Sequence, residues 1–271
     1  MPKDSGHSFN IGRHSLKVSY NDIYDEHFWG QMSDGGWEPS TFGFVEFAVR
    51  SGDVFVDIGS ATGAFTLIAA QNGAKVVAVE PYAAWRETLE QNIADNGLKE
   101  KILVVAAAVS DYSGSIGMSV GSHRAVLSDI TFTGLDQIEP VETAVLTIED
   151  LVGLEDFDGS RLVIKMDIEG AEYAILKHSP SLKFLQSQKA TLLVSLHPGF
   201  PYAIRRLRGA LAKINRLYQL ARGFFDNLVV FSRLLVHARV FMVNGTEVTR
   251  GFTFAMLAVF GSYDYIVRFS K

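Results

Sequence analysis

A doubly wound α/β fold, with a mostly parallel sheet, helices on both faces and an antiparallel hairpin at its C-terminal end, is predicted by three observations. Short apolar runs rich in β-branched residues, such as Val54-Phe55-Val56 and Val76-Val77-Ala78-Val79, alternate with segments of helical periodicity. The first run passes straight into a turn holding Gly59 and Gly63 and then into the helical pattern Phe65, Leu67, Ile68. Near the C-terminus, Asn244-Gly245 separates two β-prone runs, and Tyr263, Tyr265, Val267 and Phe269 alternate beyond them.

At 271 residues the chain is long enough for one large domain or a domain with a small appendage, and one core is the simpler expectation. A hydrophobic fraction of 48% against 20% charged argues for a folded chain over a disordered one. The net charge of −5 does not favour a nucleic-acid partner. Without cysteine there is no disulfide framework, thiolate nucleophile or thiolate metal site. Met1 to His7 contain no apolar core of a signal peptide, so a cytoplasmic location is expected. Phe252–Phe260 and Asn227–Val236, the second broken by Arg233, are too short to span a bilayer, and no transmembrane segment is expected.

Residues 1–36 read as a lead-in and cover, and residues 37–271 as the main domain. Phe9, Ile11, Leu16, Val18 and Tyr20 suit a short edge hairpin, and Pro39 to Val49 suits a helix. Trp37-Glu38-Pro39 between them has two open readings: packing, or a cover in which Glu38 accepts from a ligand ammonium. The turn Gly59-Ser60-Ala61-Thr62-Gly63 lets a ligand lie against main chain at a helix N-terminus. A dinucleotide fingerprint in this register needs glycines at 59, 61 and 64, but Ala61 and Ala64 stand there, so a pyrophosphate cradle is not expected.

The next strand, Lys75 to Val79, ends in Glu80-Pro81, where such folds put an acid on ribose hydroxyls. Asp57 and Glu80 together suit a ligand with an ammonium group and a ribose diol, and S-adenosylmethionine has both. Taken singly, Asp57 caps a helix and Glu80-Pro81 ends a strand. Asp-Ile-Gly-x-x-x-Gly followed by Val-Glu-Pro resembles the motifs of the Rossmann-like class I methyltransferases, which implies a seven-stranded sheet.

Ala83 to Asn96 is a helix stopped by Gly97, and the third strand runs from Ile102 to Val109. Ala107, in the run Ala106-Ala107-Ala108, either lets a flat ring approach the backbone or admits a neighbouring helix. Ser113-Gly114-Ser115 turns into Ile116–Val120, as if an extra hairpin leaves the sheet, and residues 121 to 141 read as a surface loop. Within it, His123-Arg124 is either an acceptor contact or a solvated pair, and Val145–Leu151 leads into another element.

The fourth strand ends in Lys165-Met166-Asp167-Ile168-Glu169-Gly170-Ala171-Glu172. Alternation puts Asp167 and Glu169 on one side, and strand ends in open parallel sheets line the ligand crevice. This string, with Thr191–Leu196 running into His197-Pro198, resembles the signature of the FkbM methyltransferases over roughly residues 37 to 200. Members usually carry an acid shortly before that histidine, where this chain has Ser195-Leu196. The resemblance implies methyl transfer from S-adenosylmethionine to an oxygen of a sugar, glycan or polyketide-like small molecule.

Such a reaction needs an acceptor hydroxyl held in line and a group to take its proton. His197 is the candidate base, Asp167 orients it or takes the proton, and Glu169 is a third candidate. Asp167 is also counted with Glu38, Asp57, Gly59, Ser60, Gly63, Glu80, Pro81 and Ala107 toward the cofactor. An Asp and a His that converge there also suit a divalent metal, so the metal question stays open. Glu172 reads as a helix-dipole complement or a functional acid.

Residues 202–236, with Arg205, Arg206, Arg208, Lys213, Arg216 and Arg222 among Ile204, Leu207, Leu211, Ile214, Leu217 and Tyr218, form a basic amphipathic helix. It either covers the sheet with a solvated basic face, takes an anionic acceptor or docks on a membrane surface. Three rivals remain: a nicotinamide-dependent oxidoreductase, a methyltransferase of protein or nucleic acid, and a non-catalytic S-adenosylmethionine-binding protein.

Overall fold

The computed structural model describes residues 4–20, 23–121, 124–127, 141–154, 159–168, 170–197, 209–251, 255 and 264–269. Glu169, His123, Pro198, most of Phe252–Phe260 and the basic residues Arg205, Arg206 and Arg208 lie outside them. The chain divides into two compact units, residues 1–106 with 157–164 and residues 107–156 with 165–271.

In the first unit, β1 (Asp4–Ile11) and β2 (His14–Tyr20) make the antiparallel N-terminal hairpin, followed by α1 (Ile23–Ser33) and α2 (Pro39–Ala48). Then β3 (Val54–Ile58), α3 (Ala64–Gln71), β4 (Lys75–Val79), α4 (Ala83–Asp95) and β5 (Ile102–Val105) alternate as expected. β3, β4 and β5 pair in parallel, Val56 opposite Val77 and Val77 opposite Leu103. Every residue of β3 is buried, which is why its sequence is apolar without alternation except at Asp57, near its carboxyl end. Gly97 does stop α4, in the left-handed region at φ 66°. The hairpin is fastened to α4 by Asn92, whose Oδ1 accepts from the Ser19 amide at 2.6 Å, and by Asn96, which accepts from Lys17.

The second unit begins with β6 (Ala108–Val109), β7 (Gly114–Gly121), β8 (Arg124–Leu127) and β9 (Val141–Leu146), then α5 (Ile148–Val152). β10 (Leu162–Met166) starts in the first unit and ends in the second. α6 (Glu172–Lys177), α7 (Ser179–Ser187), β11 (Thr191–Ser195), α8 (Gly209–His237), β12 (Ala238–Met242), β13 (Glu247–Val248) and β14 (Asp264–Phe269) complete the order. Hydrogen bonding gives a large, mostly parallel sheet in the order β13-β12-β14-β11-β10-β3-β4-β5. It has eight strands and not the expected seven. The added edge strand is β13, held to β12 across the Asn244-Gly245 turn, where Gly245 has φ 87° and Asn244 Oδ1 accepts from the Thr246 amide.

Three further expectations need correction. The third strand is not one run to Val109: it breaks after Val105, and β6 pairs with β9 in a separate four-stranded sheet of order β6-β9-β7-β8. The extra hairpin is real, but part of the expected surface loop, Arg124 to Leu127, is β8, paired antiparallel with β7. The basic helix covers with one half only. Asn227, Val230, Phe231 and Leu234 in its C-terminal half are buried, whereas Leu211, Ile214, Leu217 and Tyr218, the apolar residues among its basic ones, are 52–67% exposed, which goes against the sheet-covering reading for that half.

Tyr265 on β14 is wholly buried, edge-on to Phe231 of α8 with ring centroids 4.9 Å apart. Burial, reinforced by the neighbouring Asp264 carboxylate, pushes its phenol above the ordinary tyrosine range. A folded-state value raised above the unfolded one adds stability that is complete below about pH 10 and fades as pH climbs towards the folded value. Chemical unfolding from neutral pH to above pH ~10 should therefore show a loss of stability. Tyr265→Phe should flatten that loss, and an equally steep decline in the variant would show that another group drives it.

Candidate active site

The first cluster lies in the first unit, at the carboxyl ends of β3 and β4. The amides of Gly59 and Ser60 both donate to the Val79 carbonyl at 3.1 Å, so the turn is pinned across to β4. Glu80, 2% exposed, then organises both sides: its Oε2 accepts from the Ala61 amide at 2.9 Å and its Oε1 from the Tyr82 amide at 2.8 Å. Asp57 is fully buried, and its Oδ2 accepts from the Thr66 hydroxyl on α3 at 2.7 Å. Gly63, at φ 101°, is the N-cap of α3 and offers no side chain to cap it. A Cβ at Gly63 would lie 2.4 Å from Leu89 Cδ1, so the turn approaches α4 as closely as a bare backbone allows. Asn92, fully buried on α4, donates to the Thr62 carbonyl and braces the same turn.

Two residues of this region that are not glycine take left-handed backbone, Ala61 at φ 47° and Glu38 at φ 39°. Such geometry costs roughly 1–3 kcal/mol per residue and persists where surrounding bonds enforce it, as Glu80 does for Ala61. Glu38 is the N-cap of α2, and its Oε1 accepts from the Trp37 indole at 3.1 Å. Trp37 itself packs edge-on to Phe28 at 5.2 Å, a contact that both readings of this segment allow. Pro81 carries a carbonyl that, with that of Glu80, accepts from Arg86 Nη1.

These residues suit S-adenosylmethionine on one specific ground besides the acids. Ser60 Oγ is buried and without a hydrogen-bond partner among the described residues, so it is a polar atom that a ligand can satisfy. The turn of Gly59 to Gly63, Ser60 and the Glu80 carboxylate are the groups that would hold the ribose and methionine ends. Thr66, Arg86 and Asn92 support this cluster and were absent from the expected set. Their signals are a hydroxyl, a guanidinium and an amide on amphipathic helices, which acquire meaning only when the partner backbone is in place.

The second cluster lies in the second unit, where β10 and β11 end. Glu172, fully buried in the first turn of α6, accepts from the Ile168 amide at 2.8 Å and the Gly170 amide at 2.7 Å. Its Oε1 also lies 3.1 Å from His197 Nδ1, while His197 Nε2 lies 3.5 Å from Asp167 Oδ1. Asp167 and His197 do converge as expected, with side chains 21% and 25% exposed, and Glu172 joins them as the buried member. Glu172 thus does more than complement a helix dipole. A carboxylate held by two amides stays fixed, so it fixes the imidazole against it. A neutral ring that donates Nδ1–H to Glu172 presents an unprotonated Nε2 on the Asp167 side.

Oxygen or nitrogen atoms of Asp167, Glu172 and His197 lie within 4.8 Å of one another, the spacing of a cation site. Asp167, Glu172 and His197 are the residues that would hold a divalent cation, since a carboxylate oxygen that accepts one amide keeps a second lone pair for a ligand. Ser195, which stands where an acid is usual in the resembling sequences, donates to Asp264 Oδ1 on β14 at 2.9 Å. Ala107 is buried beside β6 in the second unit.

The family described as Methyltransferase FkbM domain matches residues 53–224. A probable cobalt-precorrin-6B C(15)-methyltransferase (decarboxylating) of Halobacterium salinarum is 36% identical over 98 residues. That match covers 34% of this chain, and the chain spans only about half, 52%, of that relative. Among solved structures, the O-methyltransferase TomG of Streptomyces achromogenes, in complex with SAM, is 10% identical with a TM-score of 0.43, covering 94% of this chain and 92% of that one. A putative O-methyltransferase from Klebsiella pneumoniae is 9% identical with a TM-score of 0.40, covering 93% and 92%. At such scores the structural likenesses add no weight.

Proposed function

Because the chain belongs to the FkbM methyltransferase family, we propose that it is an S-adenosylmethionine-dependent O-methyltransferase acting on a hydroxyl of a sugar, glycan or polyketide-like small molecule. When bound, the cofactor supplies a methyl group on a sulfonium, an electrophile that needs no metal activation. The observation that carries the oxygen-acceptor reading is His197, with Nδ1 3.1 Å from a buried, amide-held Glu172 and Nε2 directed towards Asp167. A hydroxyl attacks well only as it loses its proton, and an oriented imidazole takes one near neutral pH. His197 Nε2 is the proton acceptor, Glu172 sets its tautomer and Asp167 stabilises the imidazolium that forms. The Glu80 carboxylate takes the ribose diol, while Gly59, Ser60, Gly63 and the buried Asp57 shape the pocket for the methionine end.

Calorimetric titration with S-adenosylhomocysteine, alongside NAD, tests the cofactor. Saturable binding of the first and none of the second is expected; the reverse would remove the proposal in favour of a dinucleotide enzyme. A panel of sugars and glycans, followed by release of S-adenosylhomocysteine with and without a chelator, then tests the acceptor. Turnover that survives chelation is expected. Turnover abolished by chelation and restored by a divalent cation would make Asp167 and His197 metal ligands. Cofactor binding with no turnover on any hydroxylated acceptor would favour a non-catalytic binding protein.

A further inference from the structure

We infer that the N-terminal half of α8 is a docking helix for an anionic lipid bilayer. The helix changes character along its length. In its C-terminal half Asn227, Val230, Phe231 and Leu234 are buried on one face while Val229 and Val236 stay exposed on another, the Tyr173 hydroxyl donates to Asn227 Oδ1 at 2.6 Å, and Lys177 of α6 pairs with Asp226. That half is anchored. In the N-terminal half, Leu211, Ile214, Leu217, Tyr218 and Phe225 are 61%, 61%, 67%, 52% and 59% exposed.

Their spacing matters more than their number. Leu211, Ile214 and Tyr218 follow one another at three and four residues, and Phe225 comes two turns later, so they share one face. Leu217 widens that face. Scattered surface leucines need no explanation, but a continuous stripe on one helix face marks a surface that is covered in use.

Charge selects the cover. Lys213, Arg216 and Arg222 are exposed, and no Asp or Glu occurs from Gly209 to Phe225. Lys213 stands four residues before Leu217, and Arg222 four after Tyr218 and three before Phe225, so two of these cations flank the apolar face. This is the arrangement of an interfacial helix, whose apolar side enters the acyl boundary while flanking cations reach the phosphates. A second copy of the same helix fits badly, because it would bring cations against cations with no carboxylate in this half to compensate. Among the described residues no helix is long and apolar enough to cross a membrane, so the contact lies on the surface of the bilayer.

Flotation of the full chain with phosphatidylcholine vesicles, with or without phosphatidylglycerol, tests the inference. Binding is expected only with the anionic lipid and should weaken at high salt. Ile214→Ser with Leu217→Ser should reduce partitioning at least about tenfold, since two exposed side chains lose their apolar insertion. Lys213→Ala should reduce it roughly fivefold, the contribution of one cation near an anionic surface. Because these side chains are exposed, thermal melts should match the parent chain. Absence of vesicle binding, or binding indifferent to both variants, overturns the inference. A dimer in light scattering that the Ile214 and Leu217 changes split, without vesicle binding, would assign the face to a second copy.

Discussion

His197→Ala should lower methyl transfer by about 10²–10⁴-fold, the ordinary contribution of a positioned base, while leaving S-adenosylhomocysteine affinity within a factor of about two. The ring touches Glu172 and Asp167 and is only part-buried, so its loss need not disturb the turn at Gly59 to Gly63. Single-turnover rates and calorimetry measured on the same preparation separate the two effects. Unchanged turnover would remove His197 from the reaction, and lost cofactor affinity would move it to the binding site. Glu172→Gln makes the finer distinction between a base and its positioning partner. The amide has one carbonyl oxygen where Ile168, Gly170 and His197 now share two carboxylate oxygens. It should shift the pH profile of turnover, which a purely structural role would not do.

Glu80→Ala should weaken S-adenosylhomocysteine binding by roughly 10²-fold, because hydrogen bonds to a charged acceptor are worth about 1.5–3 kcal/mol and the ribose diol loses its acceptor. The same change also strands the Ala61 and Tyr82 amides, which now end on this carboxylate. Ala61 is held in left-handed backbone by that bond, so some of the loss will come through the turn. Circular dichroism and a melting curve on the variant distinguish a refolded turn from a collapsed domain. A folded variant with parental affinity would show that the ribose is bound elsewhere.

The two sites differ in how far chain order alone reveals them. Asp57, Gly59, Gly63 and Glu80 belong to one strand-turn-helix-strand unit, where alternation and glycine positions report directly on backbone geometry. The Glu172–His197 pair joins the start of one helix to the end of a later strand, 25 residues apart in sequence. Glu172 also has a complete local explanation as a first-turn acid, so nothing in its neighbourhood reveals the histidine. Likewise, Asn92 reads as one polar residue on an amphipathic helix until its amide meets the Thr62 carbonyl.

By itself, the sequence determined the class of fold, the strands that carry acids at their ends, the glycine turn and the Asn244-Gly245 hairpin, because each depends on periodicity or on backbone permissions within a few residues. Only the tertiary structure decided that β6 leaves the main sheet for β9, that β13 adds an eighth strand, and that Glu172 is the buried partner of His197. It also decided which stripe of α8 is covered. Hydrophobic periodicity shows that a helix has an apolar face, but the neighbour that covers it comes from distant chain, and for Leu211 to Phe225 the chain leaves that face exposed.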